Sequence, residues 1–232
     1  MSWEDRKVKI SKEAEALFYA VLKKENMGLP QFMAASPVLV ANFLELDVQE
    51  IPGKTLEPAN GNDAVVIGSL DRTNAQRVIC IARDYPPEQK RFTIWHEIGH
   101  AVLHPGTKFH RDRYVHDKTR MRSREPMEKE ADFFAGCGLA PSKLLRTEFC
   151  ARFSRGVVDG RRRDDKLVHQ LNLGLPEGSK ILPIPFNARM TTTERAEVVA
   201  RYEIGSQRSL SAVFGMSSWA MAHQLVDGRY VL

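Results

Sequence analysis

Cysteine is scarce in this chain of 232 residues. There are three, at positions 80, 137 and 150, and none belongs to a C-x-x-C pair. An odd number of thiols at these spacings indicates neither a disulfide framework nor a zinc ribbon, and it favours a reducing compartment. Long apolar runs are missing too, since residues 38–44 are interrupted by Asn42 and fall far short of the roughly 20 residues that cross a bilayer.

A large excess of one charge is also absent. The 34 Lys and Arg residues against 29 Asp and Glu give a net charge of +5, too small by itself to indicate nucleic-acid binding. The first residues lead into an amphipathic stretch rather than the apolar core of a signal peptide. We therefore expect a cytoplasmic globular protein that neither enters a membrane nor is secreted.

Helical periodicity accounts for most of the predicted secondary structure. Apolar residues at helical spacing predict a first helix over residues 11–24, with Ser11 as its N-cap. A second helix is expected to begin after Ser36-Pro37, because this pair is a common helix entry. The same periodicity returns at residues 88–103 and 127–137.

Residues 46–51 are predicted to form a short strand, and β-branched runs at residues 65–70 and 78–81 predict two more. The last two are expected to pair as antiparallel neighbours. The basic stretch 108–124 has almost no apolar periodicity and is predicted to be an exposed loop. We therefore expect an α+β fold with a small, mainly antiparallel sheet.

An H-E-x-x-H motif, residues 96–100, lies inside the helix predicted over residues 88–103. Side chains at i and i+4 project from one helix face, so His96 and His100 can bind one zinc ion at about 2.0–2.1 Å. Glu97 lies beside that ion, where its carboxylate can take a proton from an activated water, and is the predicted catalytic base. Only about 0.015 such motifs are expected by chance in this composition, so the signal is specific.

A hydrolytic zinc site needs a third protein ligand and one open position. The extended H-E-x-x-H-x-x-G-x-x-H pattern is excluded because Leu103 and Gly106 occupy its Gly and His positions. His104 continues the histidine stripe but lies one turn too far along the helix. It is equally well explained as a helix C-terminal residue favoured by the macrodipole.

Acidic residues on the next predicted helix supply the missing ligand. Glu128 and Asp132, at i and i+4, share a face, whereas Glu130 is predicted to point to the far side. We assign Glu128 as the third metal ligand and Asp132 as the acceptor for the remaining N–H of a metal-binding histidine. The predicted ion is Zn2+, although these ligands also accept Mn2+ or another divalent metal. Tyr114 and His116 are candidates to stabilise an oxyanion.

Residues 91–104 (RFTIWHEIGHAVLH), 128–135 (EKEADFFA) and 139–141 (LAP) resemble the ImmA/IrrE family of zinc metallopeptidases. The resemblance implies a minimal zincin fold of the gluzincin type and a cytoplasmic enzyme. It also implies that the protein substrate is a helix-turn-helix repressor, whose cleavage relieves repression. One departure is Trp95, since family members often have a small residue before the first histidine.

The resemblance implies the same roles for the motif residues: His96, His100 and Glu128 as ligands and Glu97 as base. We expect residues 1–150 to form the zincin-like metallopeptidase domain. Residues 151–190 are expected to form a basic connecting segment that contains Gly and Pro, longer than the family leads us to expect. Residues 191–232 are expected to form a helix-turn-helix-like segment.

The segment 209–225 has helix-turn-helix spacing, with Gly215 at the turn and Ser217 as N-cap of the second helix. A DNA-reading helix should present Arg, Lys, Asn or Gln to the bases. The second helix instead offers Ser218, His223 and Gln224, without Arg or Lys. We therefore favour packing or protein docking over DNA contact. Two alternatives stay open: a DNA-binding regulator with a vestigial zinc site, and an adaptor that binds a repressor without cleaving it.

Overall fold

A computed structural model of the chain describes residues 2–52, 66–71, 77–106, 109–113, 125–154, 156–159, 190–203 and 206–232. The chain divides into two compact units, Met1–Pro141 and Ser142–Leu232. The division expected at residues 150 and 190 stays a prediction, because most of the connecting segment lies outside the described ranges. Every helix in those ranges is too short or too polar to cross a bilayer.

The first unit combines helices with a four-stranded sheet. Its described helices are α1 (Trp3–Glu25), α2 (Leu29–Phe43), α3 (Pro87–Leu103) and α4 (Pro126–Leu139). The strands are β1 (Leu46–Ile51), β2 (Val66–Asp71), β3 (Arg77–Ala82) and β4 (Phe109–Arg113), in the order β1-β3-β2-β4. β2 pairs antiparallel with β3 and with β4, whereas β1 runs parallel to β3. The predicted α+β class with a mainly antiparallel sheet is confirmed.

Strand β4 corrects one sequence prediction. Residues 109–113 form a strand paired with β2, although the stretch 108–124 was expected to be a loop. The prediction is wrong there because charged residues without apolar alternation are common on the outermost strand of a sheet. Residues 114–124, which include Tyr114 and His116, lie outside the described ranges.

The start of α1 was also predicted wrongly. Ser2 is the N-cap: its Oγ accepts a hydrogen bond from the backbone N–H of Asp5, whose carboxylate accepts from the backbone N–H of Ser2. This capping box starts the helix well before the first buried residue, Ile10. Ser11 lies inside the helix, where its Oγ donates to Glu15 at 3.2 Å. The apolar stripe reports which turns are buried, not where the helix begins.

Helix α2 begins at Leu29, not after Pro37 as predicted. Gly28 is its N-cap and Pro30 lies in its first turn, where the missing N–H has no intrahelical partner to lose. The Gly28–Pro30 segment therefore starts the second helix. Pro37 lies in the interior of α2.

Arg91 of α3 compensates for Pro37. A proline inside a helix cannot donate to the carbonyl four residues before it, here that of Met33. Arg91 Nη2 donates to the carbonyl oxygen of Met33 at 2.6 Å, and Nη1 donates to that of Ala34. Ser36 Oγ adds a longer bond of 3.4 Å to the Met33 carbonyl. Burial lowers the pKa of Arg91. Both carbonyl oxygens accept hydrogen bonds from the N–H groups of its guanidinium.

We expect Arg91→Met to lower the free energy of unfolding by about 1.5–3 kcal/mol, the range for hydrogen bonds to a charged group. The loss should be smaller in a Pro37→Ala background, because residue 37 then supplies the backbone N–H that Met33 needs. Urea unfolding of the four proteins measures this coupling. Arg83→Met, which removes an exposed arginine bonded to the Glu50 carbonyl, is the control. Equal losses in both backgrounds would contradict the compensation.

Helices α3 and α4 cross closely because glycines lie between them. A Cβ on Gly99 would lie 3.1 Å from the Ala131 Cα. Trp95 is fully buried and packs on Phe134, with ring centroids 6.0 Å apart. A Cβ on Gly138 would lie 2.4 Å from the Trp95 ring. The large side chain before the first histidine is therefore accommodated by a glycine on α4.

The second unit is described by its helices α5 (Ser142–Phe153), α6 (Thr192–Arg201), α7 (Leu210–Phe214) and α8 (Ser218–Asp227). The predicted turn between the last two is confirmed. Gly215 takes a left-handed conformation with φ 60°, which glycine adopts without steric cost. Ser217 Oγ accepts from the backbone N–H of Ala220 at 3.2 Å and caps α8 as expected.

Candidate metal centre

Helix α3 carries both histidines of the motif on one buried face. His96, Glu97 and His100 are each 0% exposed. The helix begins at Pro87 and continues without interruption to Leu103, so the i and i+4 side chains lie one above the other. The Nε2 atoms of His96 and His100 are 3.0 Å apart. Two ring nitrogens this close, on one buried helix face, can bind a single ion together.

Helix α4 brings Glu128 to the same point. Its Oε2 lies 3.4 Å from His96 Nε2, and its Oε1 lies 3.6 Å from His100 Nε2. Glu128 reaches the histidines from the first turn of α4, beside the close crossing with α3. The ligand atoms of His96, His100 and Glu128 all lie within 4.8 Å of one another.

The donor set fits a divalent ion. Atoms held at about 2.0–2.1 Å from a tetrahedral centre would be about 3.3–3.4 Å apart, close to the observed 3.0, 3.4 and 3.6 Å. Two imidazole nitrogens and one carboxylate are also a ligand set that zinc and similar metals accept. The cluster is therefore compatible with a divalent metal site.

The other ring nitrogen of each histidine also has a partner. His96 Nδ1 lies 3.0 Å from Asp132 Oδ1, and His100 Nδ1 lies 3.1 Å from His104 Nδ1. A carboxylate can only accept, so the contact with Asp132 places the proton of a neutral His96 on Nδ1 and leaves the Nε2 lone pair available to a metal ion. Hydrogen bonds of this kind set both the tautomer and the orientation of a metal-binding ring.

Glu130, predicted to point away from the face that Glu128 and Asp132 share, lies outside the His96, His100 and Glu128 cluster. Its Oε2 lies 3.1 Å from His104 Nε2. Arg6 of α1 donates to both carboxylate oxygens, from Nε at 2.8 Å and from Nη2 at 2.5 Å. These bonds from Arg6 lower the pKa of Glu130. Helix α4 packs against both α1 and α3, so a side chain directed away from Glu128 still meets other helices.

Gly68 of β2 is a site residue that the sequence reasoning missed. A Cβ built on it would lie 3.3 Å from Glu97 Oε1 and 2.3 Å from Thr93 Cγ2. The backbone of β2 therefore passes directly beside the carboxylate predicted to be the base. A glycine inside a predicted strand is the available signal, since it often marks a close approach of backbone to another group.

Comparison with known families agrees with this geometry. The model of the Peptidase M78 family, described as the IrrE N-terminal-like domain, matches residues 61–155. The chain contains an IrrE N-terminal-like domain. The matched segment includes α3, α4 and all three candidate ligand residues, and it confirms the resemblance to the ImmA/IrrE family. The family indicates a metallopeptidase that acts on protein substrates. Among curated proteins, none matches the chain.

Proposed function

We propose that this chain is a zinc-dependent endopeptidase that hydrolyses a peptide bond in a helix-turn-helix repressor and thereby relieves repression. The observation that carries the proposal is the meeting of His96, His100 and Glu128 beside the buried carboxylate of Glu97. The three ligands would hold the ion, Glu97 would be the catalytic base, and Asp132 would orient His96 through their 3.0 Å contact.

In the proposed reaction the ion and the side chains of the protein have different roles. A bound divalent ion would act as a Lewis acid, which would polarise the scissile carbonyl and make a water molecule more acidic. Glu97 takes the proton of the attacking water and gives it to the leaving amine nitrogen as the C–N bond breaks. Its full burial keeps the carboxylate directed at one point and limits exchange of that proton with solvent. Tyr114 and His116 stay candidates to stabilise the oxyanion.

A protein substrate fits the second unit better than DNA does. Helix α8 lacks Lys and Arg, and two of its polar side chains are engaged within the unit. Ser218 Oγ donates to Glu197 at 3.3 Å, and the His223 ring lies 4.2 Å from the Trp219 ring. Base reading needs donors and acceptors that project freely into the groove. The proposed repressor partner itself rests on the resemblance to the ImmA/IrrE family.

We place the reaction in the cytoplasm. All three cysteines lie in the described ranges, and all are thiols that form no disulfide. Reduced cysteines are typical of proteins from the cytosol.

Co-incubation of the purified chain with the helix-turn-helix regulator encoded next to it tests the proposal. We expect fragments that depend on added Zn2+, disappear with a chelator and are not produced by Glu97→Gln. Intact regulator across Zn2+, Mn2+ and Co2+ would contradict it. Co-elution without fragments would favour the adaptor, and salt-sensitive DNA binding that survives Glu97→Gln would favour the DNA-binding regulator.

A further inference from the structure

A chain of polar contacts leads from helix α1 to His100. Arg6 donates to both oxygens of Glu130, at 2.8 and 2.5 Å. Glu130 Oε2 lies 3.1 Å from His104 Nε2, and His104 Nδ1 lies 3.1 Å from His100 Nδ1. Every link is within hydrogen-bond distance. Three helices, α1, α4 and α3, each contribute at least one member.

Glu130 fixes the direction of the hydrogen bonds that it accepts, and a neutral His104 fixes the direction of the next one. Arg6 can only donate and the carboxylate of Glu130 can only accept, so the His104 Nε2 that faces Glu130 must carry a hydrogen. A neutral His104 then has a lone pair on Nδ1, which accepts from His100 Nδ1–H. His100 is left with its lone pair on Nε2, the atom that faces His96 and Glu128. The chain of contacts thus selects the tautomer that a metal ligand requires.

Burial separates this arrangement from an ordinary surface ion pair. The side chains of His104, Glu130 and Arg6 are 10%, 18% and 22% exposed. Exposed pairs gain little because solvent competes for their hydrogen bonds. Arg6 also binds Glu130 through two parallel bonds, which restricts the orientation of the carboxylate more than a single contact would.

The two ligand histidines are supported differently. His96 contacts the carboxylate of Asp132 directly, whereas His100 reaches the carboxylate of Glu130 only through a second imidazole. Arg6 lies outside residues 61–155, so this support includes a helix outside the segment matched by the family model.

We propose that His104, Glu130 and Arg6 are positioning residues that hold His100 in the tautomer and orientation needed to bind the metal. The inference rests on the proposed function, because it assumes that His96, His100 and Glu128 bind an ion. It assigns α1 a role in metal affinity in addition to packing, and it gives His104 a role different from that of a helix C-terminal residue.

Metal titration of the full chain tests this proposal without measuring peptidase activity. His104→Phe keeps a ring but removes both nitrogens, and we expect it to weaken binding of Zn2+ and Co2+ about 10–100-fold, as loss of such a partner does elsewhere. The visible absorption bands of bound Co2+ should shift, because the ligand geometry changes. His104→Asn retains an acceptor near Nδ1 and should recover part of the affinity.

Variants on α1 provide the matched comparison. Arg6→Met should weaken metal binding in the same direction but by less than tenfold, since it acts through two intermediates. Lys9→Met removes a positive charge from the same helix at an exposed position, where Lys9 pairs loosely with Glu13 at 3.9 Å, and should leave affinity unchanged. Arg6→Lys cannot form two parallel bonds and should fall between Arg6→Met and the parent.

The possible results distinguish this proposal from the proposed function. A parent chain that binds neither Zn2+ nor Co2+ overturns both. A parent chain that binds metal, with His104→Phe folded and unchanged in affinity and Co2+ spectrum, overturns the positioning role alone. If His104→Phe does not fold, equal affinities for Arg6→Met and Lys9→Met overturn it instead.

Discussion

Glu97→Gln is expected to abolish cleavage of the repressor while leaving metal binding intact. An amide of the same shape fits the buried space beside Gly68 but cannot accept the proton of the attacking water. General acid–base catalysis typically contributes about 10²–10⁴-fold, so the rate should fall by at least that range. Initial rates of fragment formation, measured together with metal content per chain, test both halves of the expectation.

The matched control is Glu88→Gln, the same change in the first turn of the same helix. It removes a charge that interacts favourably with the helix N-terminus, an effect of about 0.3–1 kcal/mol on stability, and should leave the rate unchanged. A Glu97→Gln protein that cleaves within a few-fold of the parent would show that Glu97 is not the base. Loss of metal from Glu97→Gln would show that the carboxylate acts in binding instead.

His100→Ala is expected to remove the metal. The substitution deletes one of three ligand atoms and leaves His96 and Glu128, whose facing atoms are 3.4 Å apart, as an incomplete site. The affinity should fall by more than the about 10–100-fold typical for loss of an outer partner. Elemental analysis should find one ion per parent chain and much less in the variant. His223→Ala, in α8 of the second unit, is the control and should retain the ion.

Thermal unfolding gives an independent measurement of the same site. An ion that binds the folded chain alone stabilises it by about 2.7 kcal/mol at a free concentration 100 times its Kd. Zn2+ should therefore raise the unfolding temperature of the parent and of His223→Ala but not that of His100→Ala. Equal shifts for the three proteins would mean that the ion binds elsewhere.

Local signals predicted much of the fold. Strands β2 and β3 and helix α3 were predicted to within a residue at each end, because β-branched runs and uninterrupted helical periodicity mark them directly. The starts of α1 and α2 were predicted wrongly. Both depend on end effects, the capping box at Ser2 and the first-turn Pro30, that apolar periodicity does not report. An interior Pro37 also looked like a helix start, because the donor that compensates for it, Arg91, is distant in sequence.

The residues of the candidate site also fall into two groups: those that local spacing predicts and those that depend on packing between elements. His96, Glu97 and His100 follow from spacing within one helix, since the helical period alone places the two histidines on one face. Glu128 and Asp132 followed from the same period on a second helix. The contacts of Glu130 with Arg6 and His104 were not predicted, and Gly68 was missed, because each depends on which element packs against it.

The sequence by itself determined which side chains are candidates to bind a divalent ion, which carboxylate is the candidate base, and which helices carry them. Only the tertiary structure decided that Glu130 links Arg6 to His104 and that the backbone of β2 passes beside Glu97. The physical reason is that helical period is a local property of the backbone. Contacts between helices or strands depend on the packing of segments that are far apart in the chain.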